Sequence, residues 1–531
     1  MLIEIRTSAR RMAIALAAGL VAAVAPGGAA AQLPPQSQTP PAPESDVAKW
    51  IVPAVRYWQP DGGTAAIAGT ARIVVARGAD ARVAEVGAHL RAALVAIGGP
   101  DLPVVSTGAR AGDIVLDVAD PAVPAGAPAD EAYRLIVGER TTLRAGNATG
   151  LFYAGQSLLQ LLRRSPGSAT LPRGTIVDWP AYPMRQMMLD VGRKYYAVSQ
   201  IEALMRRMAW MKMNTLHLHF TDWPAFRLRS DRYPGLADAR AYDRADIARL
   251  ERLARQLHIT IIPEIDLPAH AAALIRHRPS LAFQCPSMRQ SEWLSRAAGD
   301  RAADLAWTVD ITRAENRAWL AGLLGEFIPW FSGPYFHIGG DEYQYDADKT
   351  RCPELVAAAK QRGLATPGDV FVDWINETNA LVRKHGKTTV IWNWWRFKDD
   401  RTTIEPSTDI VIETWNAPRL RDILASGYRV IVSPEEMLYV VPGIADFDGQ
   451  GYGLVRSKQV YETQPFVTGS NVLGYSVALW ADAAEAWSDE RMLGEAFEPM
   501  VVVAERTWHG AAPSTFEALL GRINDLGAAP R

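Results

Sequence analysis

Residues 198–222 read VSQIEALMRRMAWMKMNTLHLHFTD and contain the repeating unit of the fold. The spacing of apolar residues predicts a helix over Val198–Met213, followed directly by an apolar strand over Thr215–Phe220. His219 and Asp222 stand at the carboxyl end of that strand. A helix joined in this way to a short buried strand is typical of a parallel α/β fold.

The same unit recurs along the chain after Tyr182. Helical stretches lie between most of the strands, as at Arg244–His258, Ala314–Trp330 and Gly368–His385. Eight strand–helix alternations predict a (β/α)8 barrel. A doubly wound sheet is the alternative, but it rarely uses eight units, and no GxGxxG motif follows the first strand. The predicted strands are Arg185–Val191, Thr215–Phe220, Ile259–Ile265, Tyr335–Ile338, Thr388–Trp392, Ile410–Glu413, Arg429–Val432 and Val472–Leu479.

The chain before the barrel divides into three segments. Residues 1–31 place arginines ahead of an apolar run from Met12 to Ala25 and end in small residues, which predicts a cleaved secretory signal peptide. An uncleaved membrane anchor is the alternative, although the run is short for a span of about 20 residues. Residues 32–45 form a Pro-rich linker. Residues 46–178 alternate strand-like and helical runs, which predicts a small α/β accessory domain ahead of the barrel at residues 179–531. We therefore expect a periplasmic or secreted protein with no stable membrane span after cleavage.

The balance of charge argues against one class of partner. The 531 residues include 56 Lys and Arg against 58 Asp and Glu, and the formal net charge is −2. No strong positive field is available to hold phosphates, so we expect no nucleic-acid partner. We also expect no cofactor, and the sequence leaves the oligomeric state open.

The predicted strands end on acidic, basic or aromatic side chains. In a barrel these ends converge on the C-terminal face, where the active sites of this fold are built. Tryptophan rings beside carboxylates suit a sugar, because its C–H face packs on the ring while the acids bind its hydroxyls. Packing of the tryptophans in the core is the alternative. The residues at these ends are Asp190 and Arg193; His217, His219 and Asp222; Glu264, Asp266 and His270; His337, Asp341 and Glu342; Trp392, Trp394 and Trp395; Trp415; Tyr439; and Trp480 and Asp482.

The motif with the most specific chemistry is HIGGDEYQYD, residues 337–346. Gly339 and Gly340 let the backbone leave strand geometry, so the neighbouring Asp341 and Glu342 can both reach the site. Two adjacent carboxylates repel each other, so one should keep its proton at neutral pH and can serve as a general acid. A metal site formed by His337, Asp341 and Glu342 is the alternative, but it lacks a firm set of further ligands. We therefore expect no metal.

Five motifs together resemble a known family, glycoside hydrolase family 20, the β-N-acetylhexosaminidases. The resemblance covers the chain from about Asp178 to Trp508. The stretch GNATGLFYAGQSLLQLL (Gly146–Leu162) also resembles the small α/β domain that precedes the barrel in these enzymes. The five motifs are LDVGRKYY (Leu189–Tyr196), NTLHLHFTD (Asn214–Asp222), PEIDLPAH (Pro263–His270), HIGGDE (His337–Glu342) and GYRVIVSP (Gly427–Pro434).

The resemblance implies an exo-acting, retaining hydrolase that releases terminal N-acetylglucosamine or N-acetylgalactosamine from glycans or chitooligosaccharides. In such enzymes the 2-acetamido oxygen of the substrate attacks the anomeric carbon and forms an oxazolinium intermediate. Asp341 would orient the acetamido group and stabilise the positive charge, while Glu342 would act as general acid and then as general base. The resemblance implies further roles: His270 and Asp222 support Glu342, Arg193 binds sugar hydroxyls, Trp392, Trp415 and Trp480 wall the sugar pocket, and Tyr439 bonds the acetamido oxygen.

Three positions depart from the family pattern. Residues 223–227 read WPAFR where the family often has DQGWR. Val441 stands where the common Tyr-x-Asp motif has a carboxylate, and Asp482 replaces the longer glutamate of the common Trp-x-Glu motif. The outer hydroxyls of the sugar should therefore be recognised differently. Two alternatives follow: a family member that releases a substituted or disaccharide unit, and a catalytically inactive sugar-binding protein.

The chain has two cysteines, Cys285 and Cys352. An oxidising compartment would allow them to form one disulfide. They lie in the loops after the third and fourth predicted strands, and these loops are neighbours over the catalytic face of a barrel. We therefore predict a bridge between them, with two free buried thiols as the alternative.

Overall fold

The structure, a computed structural model, describes Val47 and residues 50–530, except residues 107, 164–169, 290–305, 344–351, 397–401, 445–452, 454 and 485. The predicted signal peptide and Pro-rich linker lie outside the described residues. In the described part of the chain, no helix combines the length and the apolar character that a membrane crossing needs.

The first domain is a seven-stranded mixed sheet with strand order β1-β7-β5-β6-β4-β2-β3. Its strands β2, β4 and β6 run parallel, whereas β5 and β7 pair in the antiparallel sense. The sequence predicts strand-like runs at Ala71–Ala76, Asp113–Val118 and Tyr133–Val137 and helical runs at Ala81–Ile97 and Gly150–Leu162, and these match β2, β4, β5 and both helices. The other strands are not predicted, among them β1, an exposed edge strand without apolar alternation. The elements are β1 Tyr57–Ala66, β2 Ile73–Val75, α1 Ala81–Ala96, β3 Val104–Val105, β4 Ile114–Val118, β5 Tyr133–Val137, β6 Thr141–Ala145, α2 Ala148–Arg163 and β7 Thr170–Asp178.

The second domain is a closed barrel of eight parallel strands. Strand β16 closes it by pairing with β14 on one side and β8 on the other, and the short β15 pairs with the end of β16. The predicted (β/α)8 barrel after a small α/β domain is confirmed, and each strand lies within about two residues of its predicted bounds. The strands are β8 Met184–Asp190, β9 Thr215–His219, β10 Thr260–Leu267, β11 Tyr335–Gly339, β12 Thr388–Trp392, β13 Val411–Thr414, β14 Arg429–Val432, β15 Tyr439–Val440 and β16 Val472–Leu479.

The helices that follow the strands bury an apolar stripe against the barrel. Helix α4 is typical: the Asp243 side chain caps it by accepting from the Asp246 N–H, and Ile247, Leu250 and Leu253 form the buried face. Between β12 and β13 the described residues form only a 3₁₀ turn, Trp394–Arg396. The α-helices are α3 Val198–Trp210, α4 Arg244–Gln256, α5 Ala272–His277, α6 Pro286–Arg289, α7 Ala314–Phe327, α8 Pro353–Gln361, α9 Asp369–Lys384, α10 Ala417–Ala425, α11 Glu435–Leu438, α12 Ser457–Glu462, α13 Asp489–Glu495, α14 Phe497–His509 and α15 Phe516–Leu526.

A buried lysine joins the two domains beneath the barrel. Lys212, just after α3, has its Nζ 3.2 Å from Asp178 Oδ2 and donates to the Tyr133 hydroxyl at 2.9 Å. The ammonium also lies 4.5 Å from the centre of the Trp508 ring. Burial lowers the pKa of Lys212, while Asp178 opposes that effect. Because Tyr133 and Asp178 belong to the small domain, this cluster fixes the sheet to the barrel, and both domains form one compact unit.

Candidate active site

A cavity lies at the carboxyl ends of the barrel strands. It contains most of the side chains that the sequence predicts to be functional, together with Trp394 and Glu435. Glu435 begins α11 directly after the GYRVIVSP motif, and its position beyond a strand end is the signal that could have identified it. The lining residues are Arg193, His270, Asp341, Glu342, Trp394, Trp415, Glu435, Tyr439, Trp480 and Asp482.

The end of β11 bends sharply and presents two consecutive carboxylates to this cavity. Gly339, Gly340 and Glu342 have φ angles of +73°, +92° and +43°. A Cβ atom at Gly339 would lie 1.8 Å from Asp266 Oδ1, so glycine is required there for space as well as for conformation. A left-handed glutamate is uncommon, and such backbone strain is concentrated at functional sites. The bend lets Asp341 and Glu342 face the same space.

His270 faces both carboxylates with one ring nitrogen. Its Nε2 lies 3.5 Å from Asp341 Oδ2 and 3.4 Å from Glu342 Oε2, while its Nδ1 lies 3.1 Å from Asp222 Oδ2. Burial opposes the protonation of His270, but the charges of Asp222, Asp341 and Asp266 outweigh it and raise the pKa well above its ordinary value. The ring is therefore an imidazolium at neutral pH, held between Asp222 and the carboxylate pair.

Two neighbouring carboxyl groups of the site, Asp341 and Asp266, have a raised pKa. Burial, together with the negative charge of Glu342, raises the pKa of Asp341 to about 6, although His270 opposes the shift. Beneath it lies the fully buried Asp266, which has no assigned role in the sequence analysis. Burial and the charge of Asp341 raise the pKa of Asp266 well above its ordinary range. Burial and mutual repulsion therefore shift both carboxyl groups, Asp341 and Asp266, towards their protonated forms.

Arg193 is held by three carboxylates. Its two terminal nitrogens lie 2.9 Å from Asp190 Oδ2 and 2.9 Å from Asp222 Oδ2, and its Nε lies 3.5 Å from Asp482 Oδ1. Asp482 Oδ2 is buried and has no hydrogen-bond partner among the described residues. Burial raises the pKa of Asp482 to about 6. A buried polar oxygen without a partner beside a cavity suits a ligand hydroxyl.

Aromatic rings form the opposite wall. Trp480 packs against Tyr439 with ring centres 5.6 Å apart, and Trp394 stacks on Trp415 at 5.9 Å. Trp392 lies one layer deeper than the sequence analysis places it, because it is buried below Trp480 and donates its indole N–H to Glu264 at 2.7 Å. Trp415 and Trp480 thus line the cavity directly, whereas Trp392 supports its floor.

Trp307 is a contact that sequence reasoning missed. Its ring centre lies 4.2 Å from that of His270, and its indole N–H donates to the backbone carbonyl of Glu342 at 3.2 Å. It therefore fixes the ring and the left-handed backbone at the same time. No motif surrounds this residue, and its contacts depend on how the loop after β10 folds back.

Cys285 and Cys352 are bonded to each other in the structure, with Cα atoms 5.4 Å apart. The bridge joins the chain after β10, which carries His270, to the chain after β11, which carries Glu342. It thus ties together two segments that supply one site.

His217, Glu264 and His337 converge beneath the cavity, and they are one of several groups of described residues whose spacing could hold a metal ion. The lone pair of His337 Nδ1 already accepts a hydrogen bond from the Gly339 N–H at 2.9 Å. His217 Nε2 lies 3.0 Å from Glu264 Oε2. One nitrogen of each ring is thus used in a hydrogen bond inside the barrel, and we assign these groups to internal hydrogen bonding.

Comparisons with known proteins agree with this geometry. Residues 182–511 match the catalytic domain of glycosyl hydrolase family 20, and residues 49–179 match domain 2 of the same family. The chain is 27% identical over 433 residues to a β-hexosaminidase of Porphyromonas gingivalis, covering 75% of this chain and 53% of that protein. It is 25% identical over 421 residues to the lacto-N-biosidase of Bifidobacterium bifidum, covering 75% of this chain and 35% of that protein.

A solved structure shares the fold and part of the sequence. The β-N-acetylhexosaminidase of Streptomyces coelicolor superposes with a TM-score of 0.68 and 27% identity, covering 87% of this chain and 91% of the other. The chain spans 53–59% of the length of several curated relatives that it matches. The catalytic match extends across the whole barrel and includes every residue that lines the cavity. The chain therefore belongs to glycosyl hydrolase family 20.

Proposed function

We propose that this protein is a retaining exo-β-N-acetylhexosaminidase that removes a single terminal 2-acetamido sugar from a glycan or chitooligosaccharide. The observation that carries the proposal is the delivery of Asp341 and Glu342 from one strand end into one cavity, both facing His270 Nε2. Common retaining glycosidases need their two carboxylates on opposite sides of the scissile bond, about 5–5.5 Å apart. Asp341 and Glu342 are adjacent in the chain and both face one imidazole. This arrangement suits a mechanism in which the substrate, and not a second carboxylate, supplies the nucleophile.

The first half of the reaction forms an oxazolinium ion. Glu342 donates its proton to the glycosidic oxygen as the bond to the anomeric carbon breaks. The acetamido carbonyl oxygen bonds to that carbon, and Asp341 stabilises the positive charge that develops on the acetamido nitrogen. The leaving alcohol departs with the proton.

The second half restores the enzyme. Glu342, now a carboxylate, accepts a proton from water as the water oxygen bonds to the anomeric carbon. The carbon–oxygen bond of the ring opens, the acetamido group is regenerated, and the product keeps the β configuration. His270 holds Glu342 through both halves because its Nδ1 is fixed by Asp222.

The remaining side chains suit the binding of one sugar ring. Trp480 and Trp415 offer apolar faces, Tyr439 offers a hydroxyl, and Asp482 with Arg193 faces the part of the ring far from the reacting bond. We infer that the outer hydroxyls bind through Asp482 and Arg193, because Val441 is fully buried and offers no polar group.

Hydrolysis of aryl glycosides tests the proposal. The enzyme should release p-nitrophenol from the β-N-acetylglucosaminide or β-N-acetylgalactosaminide, and a thiazoline analogue of the intermediate should inhibit it much more strongly than the free sugar. Equal rates on 2-acetamido and 2-hydroxy glycosides would exclude participation by the acetamido group. Binding of the sugar without turnover of any aryl glycoside would support the inactive sugar-binding alternative.

Release of a disaccharide unit is the second candidate. Two observations favour it: the similarity to a lacto-N-biosidase, and Val441, a buried apolar residue at the position where the common Tyr-x-Asp motif has a carboxylate. Comparison of p-nitrophenyl lacto-N-bioside with p-nitrophenyl N-acetylglucosaminide decides between them. A higher kcat/KM for the bioside would contradict the main proposal and support the release of a disaccharide unit.

We also propose that the protein is exported to the periplasm or secreted. The N-terminal sequence and the bonded cysteines support this location, because disulfides persist in oxidising compartments. Cell fractionation and N-terminal sequencing of the mature protein test it, with cleavage expected after Ala31. A full-length protein in the reducing cytoplasm would contradict the proposal.

A further inference from the structure

A row of buried ionisable groups continues from the active site into the barrel core. His219 stands at its centre, at the end of β9, where it is paired in register with Glu264 of β10. Its Nδ1 lies 2.5 Å from Glu264 Oε2, and its Nε2 lies 2.9 Å from Asp222 Oδ2. The row then continues through Asp222 to His270 and the catalytic carboxylates.

This geometry fixes the protonation state of His219. A neutral imidazole has one N–H and one lone pair, and a lone pair directed at a carboxylate would be repelled. Both nitrogens of His219 face carboxylates at hydrogen-bond distance, so both must carry hydrogen. Burial opposes this charge, but Glu264 and Asp222 outweigh it and raise the pKa of His219 well above its ordinary value. His219 is therefore a permanent cation.

One carboxylate oxygen of Asp222 faces three cationic side chains. One oxygen, Oδ2, lies 2.9 Å from His219, 2.9 Å from Arg193 and 3.1 Å from His270. Because His219 and Arg193 already oppose the carboxylate charge, Asp222 attracts the His270 proton less strongly than an isolated aspartate would. The Glu264 carboxylate that holds this cation is itself bonded by His217 Nε2 and by the indole N–H of Trp392, which fix its position.

We propose that His219 is a positioning residue for hydrolysis: its fixed charge, held by Glu264, acts through Asp222 and His270 to set the pH range in which Glu342 works. The inference rests on the proposed function and adds a residue that contacts neither the cavity nor the substrate. Charged, titratable and aromatic groups face His219 from every packed element: Asp190 at the end of β8, Asp222 after β9, Glu264 and Asp266 on β10, His337 on β11, and the Trp480 ring after β16. Arg193, after β8, shares the Asp222 oxygen with His219.

The test compares His219→Gln with His217→Gln. His217 is also fully buried and bonds the same Glu264, but it stands two residues earlier on β9 and does not reach Asp222. Loss of the His219 charge should favour the protonated forms of His270 and of the carboxyl groups that face it, including Asp341. Both limbs of the kcat/KM profile should therefore move to higher pH by about one unit, whereas His217→Gln should move them by less than half as much. A purely structural role would lower kcat without moving the limbs.

Equal movement in the two variants, or none in folded His219→Gln, would overturn the proposal. If His219→Gln does not fold, ¹⁵N-histidine spectra of His217→Gln at pH 8 provide the test. Two rings protonated on both nitrogens are expected, His219 and His270, and a single such ring would overturn the proposal. Because the spectra need no substrate, they report on His219 even if the wild type hydrolyses no glycoside, which would refute the proposed function instead.

Discussion

Asp341 and Glu342 are neighbours in the chain, but they have different surroundings. Asp341 lies above the buried Asp266, whose pKa is raised, whereas the Glu342 backbone is held by Trp307 and its carboxylate faces His270. Such a difference separates the two roles in catalysis, because each side chain responds to its own set of charges. Substitution of each residue should therefore produce a different kinetic signature.

Glu342→Gln removes the proton donor. Turnover should fall by about 10²–10⁴-fold for substrates with poor leaving groups and by much less for activated aryl glycosides, which need little protonation. Steady-state kinetics with a series of aryl leaving groups measures the difference. Glu435→Gln, in the same cavity, is the matched control and should show no dependence on the leaving group. Equal losses for good and poor leaving groups would contradict the acid role of Glu342.

In the proposed mechanism, Asp341→Asn removes the charge that stabilises the intermediate. We expect kcat to fall by about 10²–10³-fold with little change in binding, because the lost interaction belongs to the transition state. The raised pKa of Asp341, about 6, adds a pH signature. Below that pH the wild-type carboxyl is protonated and uncharged, so kcat/KM should decline tenfold per pH unit, and the variant should lack this decline. An acid limb that persists unchanged in the variant would assign it to another group.

At the scale of elements, the end of β11 depends on close packing against β10. The left-handed turn at Gly339 lies directly against Asp266, and the turn at Gly340 lies in a more open space. The bridge between Cys285 and Cys352 then fixes the two segments that leave these strands. Both features hold His270 near Glu342.

Comparison of Gly339→Ala with Gly340→Ala separates the cost of a left-handed backbone from the cost of steric overlap. Both positions have left-handed φ angles, so each alanine should cost about 1–2 kcal/mol. At Gly339 the new methyl group would also meet Asp266 Oδ1 at 1.8 Å, whereas at Gly340 the nearest atom is 3.8 Å away. We expect Gly339→Ala to lose about 2 kcal/mol more in urea unfolding, and to lose most activity. Equal unfolding free energies would show that the backbone yields at Gly339.

Removal of the disulfide should harm activity more than stability. The bridge closes a loop between residues 67 positions apart, and its loss in Cys285→Ser with Cys352→Ser should cost about 2–4 kcal/mol. Since it joins the carriers of His270 and Glu342, kcat should decline even where the variant is fully folded. Mass spectrometry of a non-reduced digest checks the bond itself. Two alkylatable thiols in protein from an oxidising compartment would contradict it.

At the scale of the whole molecule, buried charges join the accessory domain to the barrel. Lys212 meets Asp178 and Tyr133 across the boundary, and Arg185 meets Glu131 at 2.7 Å. These contacts lie at the amino ends of the barrel strands, on the opposite side of the barrel from the cavity. The small domain therefore supports the scaffold, and none of its described residues lines the cavity.

Lys212→Met tests this support. The change leaves Asp178 buried without its cation, and the free energy of unfolding should fall by about 3 kcal/mol. Lys458→Met is the matched control, because Lys458 forms an exposed pair with Glu517 at 2.5 Å and its loss should change stability little. Urea unfolding of both variants measures the difference. Equal stabilities would show that Lys212 contributes no more than a surface pair.

The sequence by itself determined the barrel, its order of strands and most of the cavity. Apolar segments of strand length specify the fold, and the polar residues that end them specify the edge at which the site lies. Both can be identified from side chains that are close together in the chain. The two glycines of the His-Ile-Gly-Gly-Asp-Glu motif likewise predict the bend at the end of β11. These features depend on residues close together in the chain, and a single sequence displays them.

Only the tertiary structure decided which distant groups meet. The contact of Trp307 with His270 depends on the path of the loop after β10, and the depth of Trp392 depends on how β12 packs beside the neighbouring strands. No local pattern encodes either of them. The same holds for the cation at His219: alternation places it with His217 on one face of β9, but the register with β10 and the turn at Asp222 give it two carboxylates. Ionisation depends on such distances and on burial, and both arise only when the strands close into the barrel.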